Sequence, residues 1–190
     1  YLQKNWDVGV VYCNGYCINE KGKVLYKIFP ENHVEQNNPE RLLLDCYFNL
    51  PSNSLIRRNA IEKAGPFDEA LRSAQDHDMA IRLAEVTRLA YIDEPLWYYR
   101  RHPSSQSGLH AKRRWQAGFT ILEKACKRYP YPKKICRKRK SVLNFRMGQC
   151  FLEEKKNLNA LIHFLKAGIL DPIRSLKVIS GKEKISSPHS

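Results

Sequence analysis

Two short stretches concentrate side chains capable of chemistry. Gln75-Asp76-His77-Asp78 sets two carboxylates directly ahead of Met79, Leu83 and Val86, which recur at helical spacing. This predicts a helix with both aspartates in its first turn, where the free backbone N–H groups favour negative charge and keep a carboxylate ionised. A fixed, ionised carboxylate can take a proton from a hydroxyl. The same residues also serve simply to start a helix, so position alone leaves both readings open. Arg100-Arg101-His102 is the second stretch. Imidazole suits a divalent metal and guanidinium suits phosphate oxygens, although a basic turn after a strand has the same letters. His33, His77, His110, His163 and His189 belong to no constellation and read as surface or packing residues.

The elements that would carry these groups alternate over the first hundred residues. Asp7–Ile18 is β-branched and aromatic and reads as a buried strand, with a turn at Asn19-Glu20-Lys21-Gly22 and a return strand over Lys23–Phe29. Pro39 opens a short helix with Leu42, Leu43 and Cys46 on its apolar side. Ser54–Arg57 reads as a brief strand, and Asn59 as the cap of a helix over Ala60–Ala64 that Gly65-Pro66 stops. Leu89–Ile92 and Leu96–Arg100 read as two short strands around a turn at Asp93-Glu94-Pro95. This alternation predicts an α/β layered fold. A polar break from His102 to Gly108 follows, then helices over 111–128, 133–154 and 157–170, the last ended by Asp171-Pro172. Residues 181–190 are polar and predicted to fray.

The charge divides at the same break. Of 190 residues, 33 are Lys or Arg and 19 Asp or Glu, a net charge of +14. Residues 1–109 hold 13 basic and 14 acidic groups, and residues 110–190 hold 20 and 5. The chain therefore reads as a near-neutral segment, 1–107, followed by a basic helical one, 108–190. Hydrophobic content of 43% excludes wholesale disorder, and no apolar run is long enough to span a membrane. The six cysteines form no C-x-x-C pair, so structural zinc is not expected; they read as small buried hydrophobes in a reducing cytoplasm.

Three segments, taken in order, carry a resemblance. They are Leu50-Pro51-Ser52-Asn53-Ser54-Leu55-Ile56-Arg57-Arg58 running through Gly65-Pro66-Phe67-Asp68-Glu69; Gln75-Asp76-His77-Asp78-Met79 with Arg82-Leu83-Ala84; and Trp97-Tyr98-Tyr99-Arg100-Arg101-His102-Pro103 with Ser107. This arrangement resembles the acceptor-side half of family 2 glycosyltransferases of the GT-A (Rossmann-like) fold. Trp6-Asp7-Val8-Gly9-Val10-Val11-Tyr12 resembles the stretch just after that family's metal-binding Asp-x-Asp. The resemblance covers about residues 1–107 and implies a partial GT-A domain lacking its N-terminal nucleotide-binding half. It implies Asp76 as catalytic base, with Asp78, Arg100 and His102 at the substrates and His102 also near a divalent Mg²⁺ or Mn²⁺. Gln75 stands where the family usually has Glu. The implied reaction is inverting transfer from a nucleotide-sugar donor to a glycan or lipid-linked acceptor, in surface polysaccharide or glycan assembly. The start at Tyr1 looks cut, so this chain alone is expected to be inactive.

In the basic segment, Gly148, Ala160, Ala167 and Pro172 resemble one tetratricopeptide-like helix pair, in which small residues let helices approach. The run Lys133–Lys140 reads as a solvated face or as a contact with an anionic membrane surface. Nucleic acid is not the expected partner, since no binding module accompanies the run. Cytoplasmic location, peripheral at the inner membrane face, goes with the glycosyltransferase reading. The rival reading is a non-catalytic helical-repeat interaction module on a remnant α/β scaffold.

Overall fold

The computed structural model describes residues 1–45, 47–48, 50–102 and 111–183. The chain forms two compact units, one of Tyr1–Ala70 with Gln75–Ser105 and one of Leu71–Ala74 with Gln106–Ser190. The expected boundary after residue 107, Ser107 itself and Cys46 lie outside the described residues.

The first unit is mixed α/β and is organised around one strand, β1 (Val8–Ile18). β-Branched and aromatic residues favour an extended chain, and here nearly all are buried, with Val10 and Asn14 fully so and Tyr12 at 1% exposure. β2 (Val24–Lys27) and β3 (Ser54–Ile56) pair with β1 antiparallel, while β4 (Arg88–Arg100) runs parallel to it. Gly9 O accepts from Arg57 N, Cys13 N donates to Asn53 O and Gly15 O accepts from Ile28 N. All three are odd-numbered, so β2 and β3 lie end to end along one edge of β1. Ile18 O accepts from Arg101 N, which assigns the other edge to β4.

β4 is one strand where the sequence suggests two. Between Cys13↔Ile92 and Gly15↔Trp97 it sets four residues, Asp93 to Leu96, against Asn14 alone, which pairs with Pro95, so that the other three form a bulge. Asn14 makes this possible. Its Nδ2 donates to Asp93 Oδ1 at 2.7 Å and to Phe29 O, and its Oδ1 accepts from the Gly15 and Phe29 amides, so all four of its hydrogen-bonding positions are met inside the core. Gly15 is required beside it, since a Cβ there would lie 2.4 Å from the Trp97 indole nitrogen.

Among the described residues this unit also has a 3-10 turn at Leu2–Lys4 and the α-helices α1 (Pro39–Leu44), α2 (Arg58–Ala64) and α3 (Gln75–Val86). Asn38 caps α1 through its side chain, which accepts from the Glu40 amide, and Leu42 and Leu43 are buried as expected. α2 starts two residues earlier than Asn59 would allow as a cap, with Arg57 at the N-cap, and ends at Gly65 with φ of 81°.

The second unit is helical: α4 (Ala111–Arg128), α5 (Lys133–Glu153), α6 (Asn157–Leu170) and α7 (Pro172–Ile179). α4 buries Gly118, Ile121, Leu122 and Ala125, with Trp115 and Phe119 only half covered. Antiparallel packing of α5 on α6 is close: a Cβ on Gly148 would lie 2.6 Å from the Phe164 ring, Ala160 and Ala167 are buried, and Ser141 Oγ donates to Ala167 O at 2.8 Å. Asp171-Pro172 ends α6 and also begins α7, with the Asp171 side chain accepting from the Arg174 amide. The expectation of uniformly reduced cysteines is corrected, because Cys126 and Cys136 form a disulfide joining the end of α4 to the start of α5. Cys13, Cys17 and Cys150 are free. Among the described residues no helix is long and apolar enough to cross a membrane.

Candidate functional site

The first turn of α3 carries the two predicted carboxylates, and it sends them into different surroundings. Ala74, at φ of 60°, turns the chain into the helix. Asp76 is exposed, and its Oδ1 accepts from the His77 amide at 2.8 Å. Asp78 is buried, at 2% exposure, beside Arg82 one turn on. Arg82 Nε lies 2.9 Å from Asp78 Oδ2, with Nη2 at 2.8 Å. The other arm of Arg82 donates to the carbonyls of Ala64 and Gly65, where α2 ends. His77 is buried too, its Nε2 2.8 Å from Leu42 O on α1.

These contacts tie the start of α3 to both neighbouring helices and leave Asp76 as the solvent-facing carboxylate of the turn. A buried charge is tolerable only when paired and hydrogen-bonded, which is Asp78's condition. Its contacts with Arg82 brace the turn.

The second predicted stretch lies at the end of β4. Arg100 is exposed and its Nη1 donates to the carbonyls of Asn19 and Glu20, closing over the β1–β2 turn. His102 is exposed two residues beyond the strand. Among the described residues, no three His, Cys, Asp or Glu side chains converge so as to hold a metal ion.

A cluster that the sequence does not reveal lies under the middle of β1. The Tyr12 hydroxyl donates to Glu35 Oε2 at 2.8 Å and lies 2.7 Å from His33 Nε2. A phenol has one proton, and Glu35 receives it, so the ring nitrogen of His33 must be the donor in the second contact. The Tyr47 hydroxyl donates to the same Glu35 oxygen at 2.8 Å, and the other carboxylate oxygen accepts from the Asn37 amide. His33 packs on the Phe29 ring and edge-on against Tyr91. It belongs to a constellation after all.

Burial, then the Glu35 charge, pushes the Tyr12 phenol far above its ordinary range. Burial, then the Arg41 charge, lowers His33, with Glu35 and Asp93 acting against them. Hydrogen bonds from Asn14, Lys27 and Tyr91 hold Asp93 at about 2. A phenol held so firmly protonated does not act as an acid near neutrality. The cluster fastens the segment from Phe29 to Asn38 onto the sheet, and it is drawn from four separated stretches with no common spacing.

No protein-family model matches this chain, and no curated protein matches it.

Proposed function

We propose that the chain is the acceptor-side part of an inverting glycosyltransferase similar to family 2, which moves a sugar from a nucleotide-sugar donor to a glycan or lipid-linked acceptor. One observation carries the reading: Asp76 is an exposed carboxylate on a helical turn whose neighbours, His77 and Asp78, are both locked by buried contacts. A base must be both reachable and fixed, and this turn supplies the two conditions in adjacent residues.

In the proposed reaction Asp76 takes the proton of the acceptor hydroxyl as that oxygen attacks the anomeric carbon. The bond from that carbon to the nucleoside diphosphate breaks on the opposite face, and the configuration inverts. His102, exposed past β4, is the group offered to the diphosphate, and Arg100 keeps the adjoining turn in place. Work on lipid-linked acceptors at a cytoplasmic leaflet would suit this chemistry. The Cys126–Cys136 bond is the observation against that location, since structural disulfides are rare in reducing compartments.

Asp76→Asn in the full-length protein is the test. Transfer should fall by about 10²–10⁴-fold while donor binding and thermal stability stay at parental levels. Retained transfer would remove Asp76 from the mechanism. The second reading, a helical interaction module on an α/β scaffold, is favoured by the exposed apolar residues of α6 and α7. A full-length protein that turns over no nucleotide sugar would leave that reading standing.

A further inference from the structure

The last two helices turn apolar side chains outward. On α6, Leu158, Ile162, Leu165 and Ile169 follow i, i+4, i+7, i+11 spacing, and all are exposed. On α7, Ile173, Leu176 and Ile179 are 70%, 66% and 82% exposed. At 100° per residue these three occupy one stripe of about 120°. The opposite face of α7, with Ser175 and Val178, covers a cavity of about 600 Å³ floored by Val142, Phe145 and Phe164. α7 is thus seated by its inner face, with Ile179 at the cavity's rim, and its outer stripe joins the exposed α6 side chains as uncovered apolar surface.

A stripe of positive charge lies at the same end of this unit. Lys133, Lys134, Arg137 and Lys140 are exposed, and their spacing gathers them within about 120° of the α5 surface. Among the described residues none of the four is in an ion pair. The antiparallel register of α5 and α6, set by Ser141 with Ala167 and by Asn144 with His163, brings Arg137 level with Asp171, where α7 begins. The nearby carboxylate of Glu183 is already paired, with Arg174.

We propose that this surface docks on an anionic lipid bilayer, with α7 lying in the headgroup plane, its apolar stripe inserted and the α5 cations against the lipid phosphates. A short helix with an apolar outer stripe beside a cluster of cations is what such an interface binds. Residues 110–190, with 20 basic and 5 acidic groups, would repel a second copy of the same face and be drawn to a surface of negative charge. The proposal does not rest on the sugar-transfer reading, and its failure would leave that reading untouched.

The test is flotation of the 190-residue chain with phosphatidylcholine vesicles, with and without phosphatidylglycerol. Binding should require the anionic lipid and be lost in about 1 M salt, where the screening length falls to about 3 Å. Lys133→Gln with Lys134→Gln, Arg137→Gln and Lys140→Gln should weaken partitioning about fivefold per cation. Ile173→Ser with Leu176→Ser and Ile179→Ser should weaken it about tenfold per side chain, with the melting temperature unchanged in lipid-free buffer. Equal flotation on neutral vesicles, or none on anionic ones, overturns the proposal. So does a serine triple variant that floats like the parent, which would reduce the contact to charge alone. A large fall in its melting temperature would mean that the stripe is covered by the chain itself. A concentration-dependent dimer abolished by the serines would mean that a second copy covers it. Either result also overturns the proposal.

Discussion

Asp78 and Arg82, one turn apart on α3, hold each other in a buried ion pair, and Arg82 spans from there to the carbonyls that end α2. Two aspartates of one helical turn thus divide its work. Asp78→Ala would strand the guanidinium in the interior, and the expected cost is about 3–5 kcal/mol. Asp76→Ala removes an exposed charge near a helix start and should cost less than about 1 kcal/mol. Chemical denaturation of the two variants measures the contrast. Equal stabilities would contradict the division of roles.

His33 makes stability depend on pH. Its folded pKa lies below the ordinary histidine value because burial and Arg41 disfavour the imidazolium. The unfolded chain therefore binds the proton first as the pH drops. The contribution is intact above about pH 6.5, the unfolded value, and is lost as pH falls from there through the lower folded value. His163 shifts in the same direction, through burial and Lys166. Melting temperatures should decline on the acid side of that point, and His33→Gln, whose amide can still donate to Tyr12, should flatten the decline. An unchanged slope would detach the effect from His33.

Elements with local causes could be read from the sequence, including β1, the proline-led α1, the glycine stop at residue 65 and the acidic first turn of α3. The Tyr12–His33–Glu35–Tyr47 cluster could not. Its members come from a strand, two connecting positions and the segment beyond α1, and only the folded path of the loop brings them together. The continuity of β4 escapes the sequence for a related reason. Asp93-Glu94-Pro95 has turn chemistry, but the Asn14 side chain in the neighbouring strand absorbs the extra residues as a bulge. Asp76 and Asp78 could be assigned to a helix start, and i, i+4 spacing already points Asp78 at Arg82, but only the packing of α2 on α3 shows that this pair is buried while Asp76 stays in solvent.

Gly148 sets how closely α5 and α6 approach. Gly148→Ala adds a methyl 2.6 Å from the Phe164 ring, which is held against Phe145. The expected loss is about 1–3 kcal/mol, reduced by the better helix propensity of alanine, about 1 kcal/mol. Phe164→Leu in the same molecule should restore part of it. Additive losses in the double variant would show that the two side chains do not compete for the space.

The Cys126–Cys136 disulfide closes a short loop through the Tyr129–Pro132 turn. Chain-entropy reasoning assigns it about 2–3 kcal/mol, so dithiothreitol should lower the thermal transition, and the double variant Cys126→Ser with Cys136→Ser should match the reduced parent. Its two cysteines lie on consecutive helices, and their spacing says nothing until the helices are known to fold back on each other.

The arrangement of β2 and β3 end to end on one edge of β1, opposite β4, gives β1 a built-in reporter of how the sheet opens. Its odd-numbered amides, such as that of Cys13, are shielded from deuterium by the β2–β3 edge, and its even-numbered ones by β4. Fraying of the short strands should leave every second amide of β1 protected, and only separation from β4 should release the rest. Alternation of exchange rates along this single strand would thus resolve the order in which its neighbours let go.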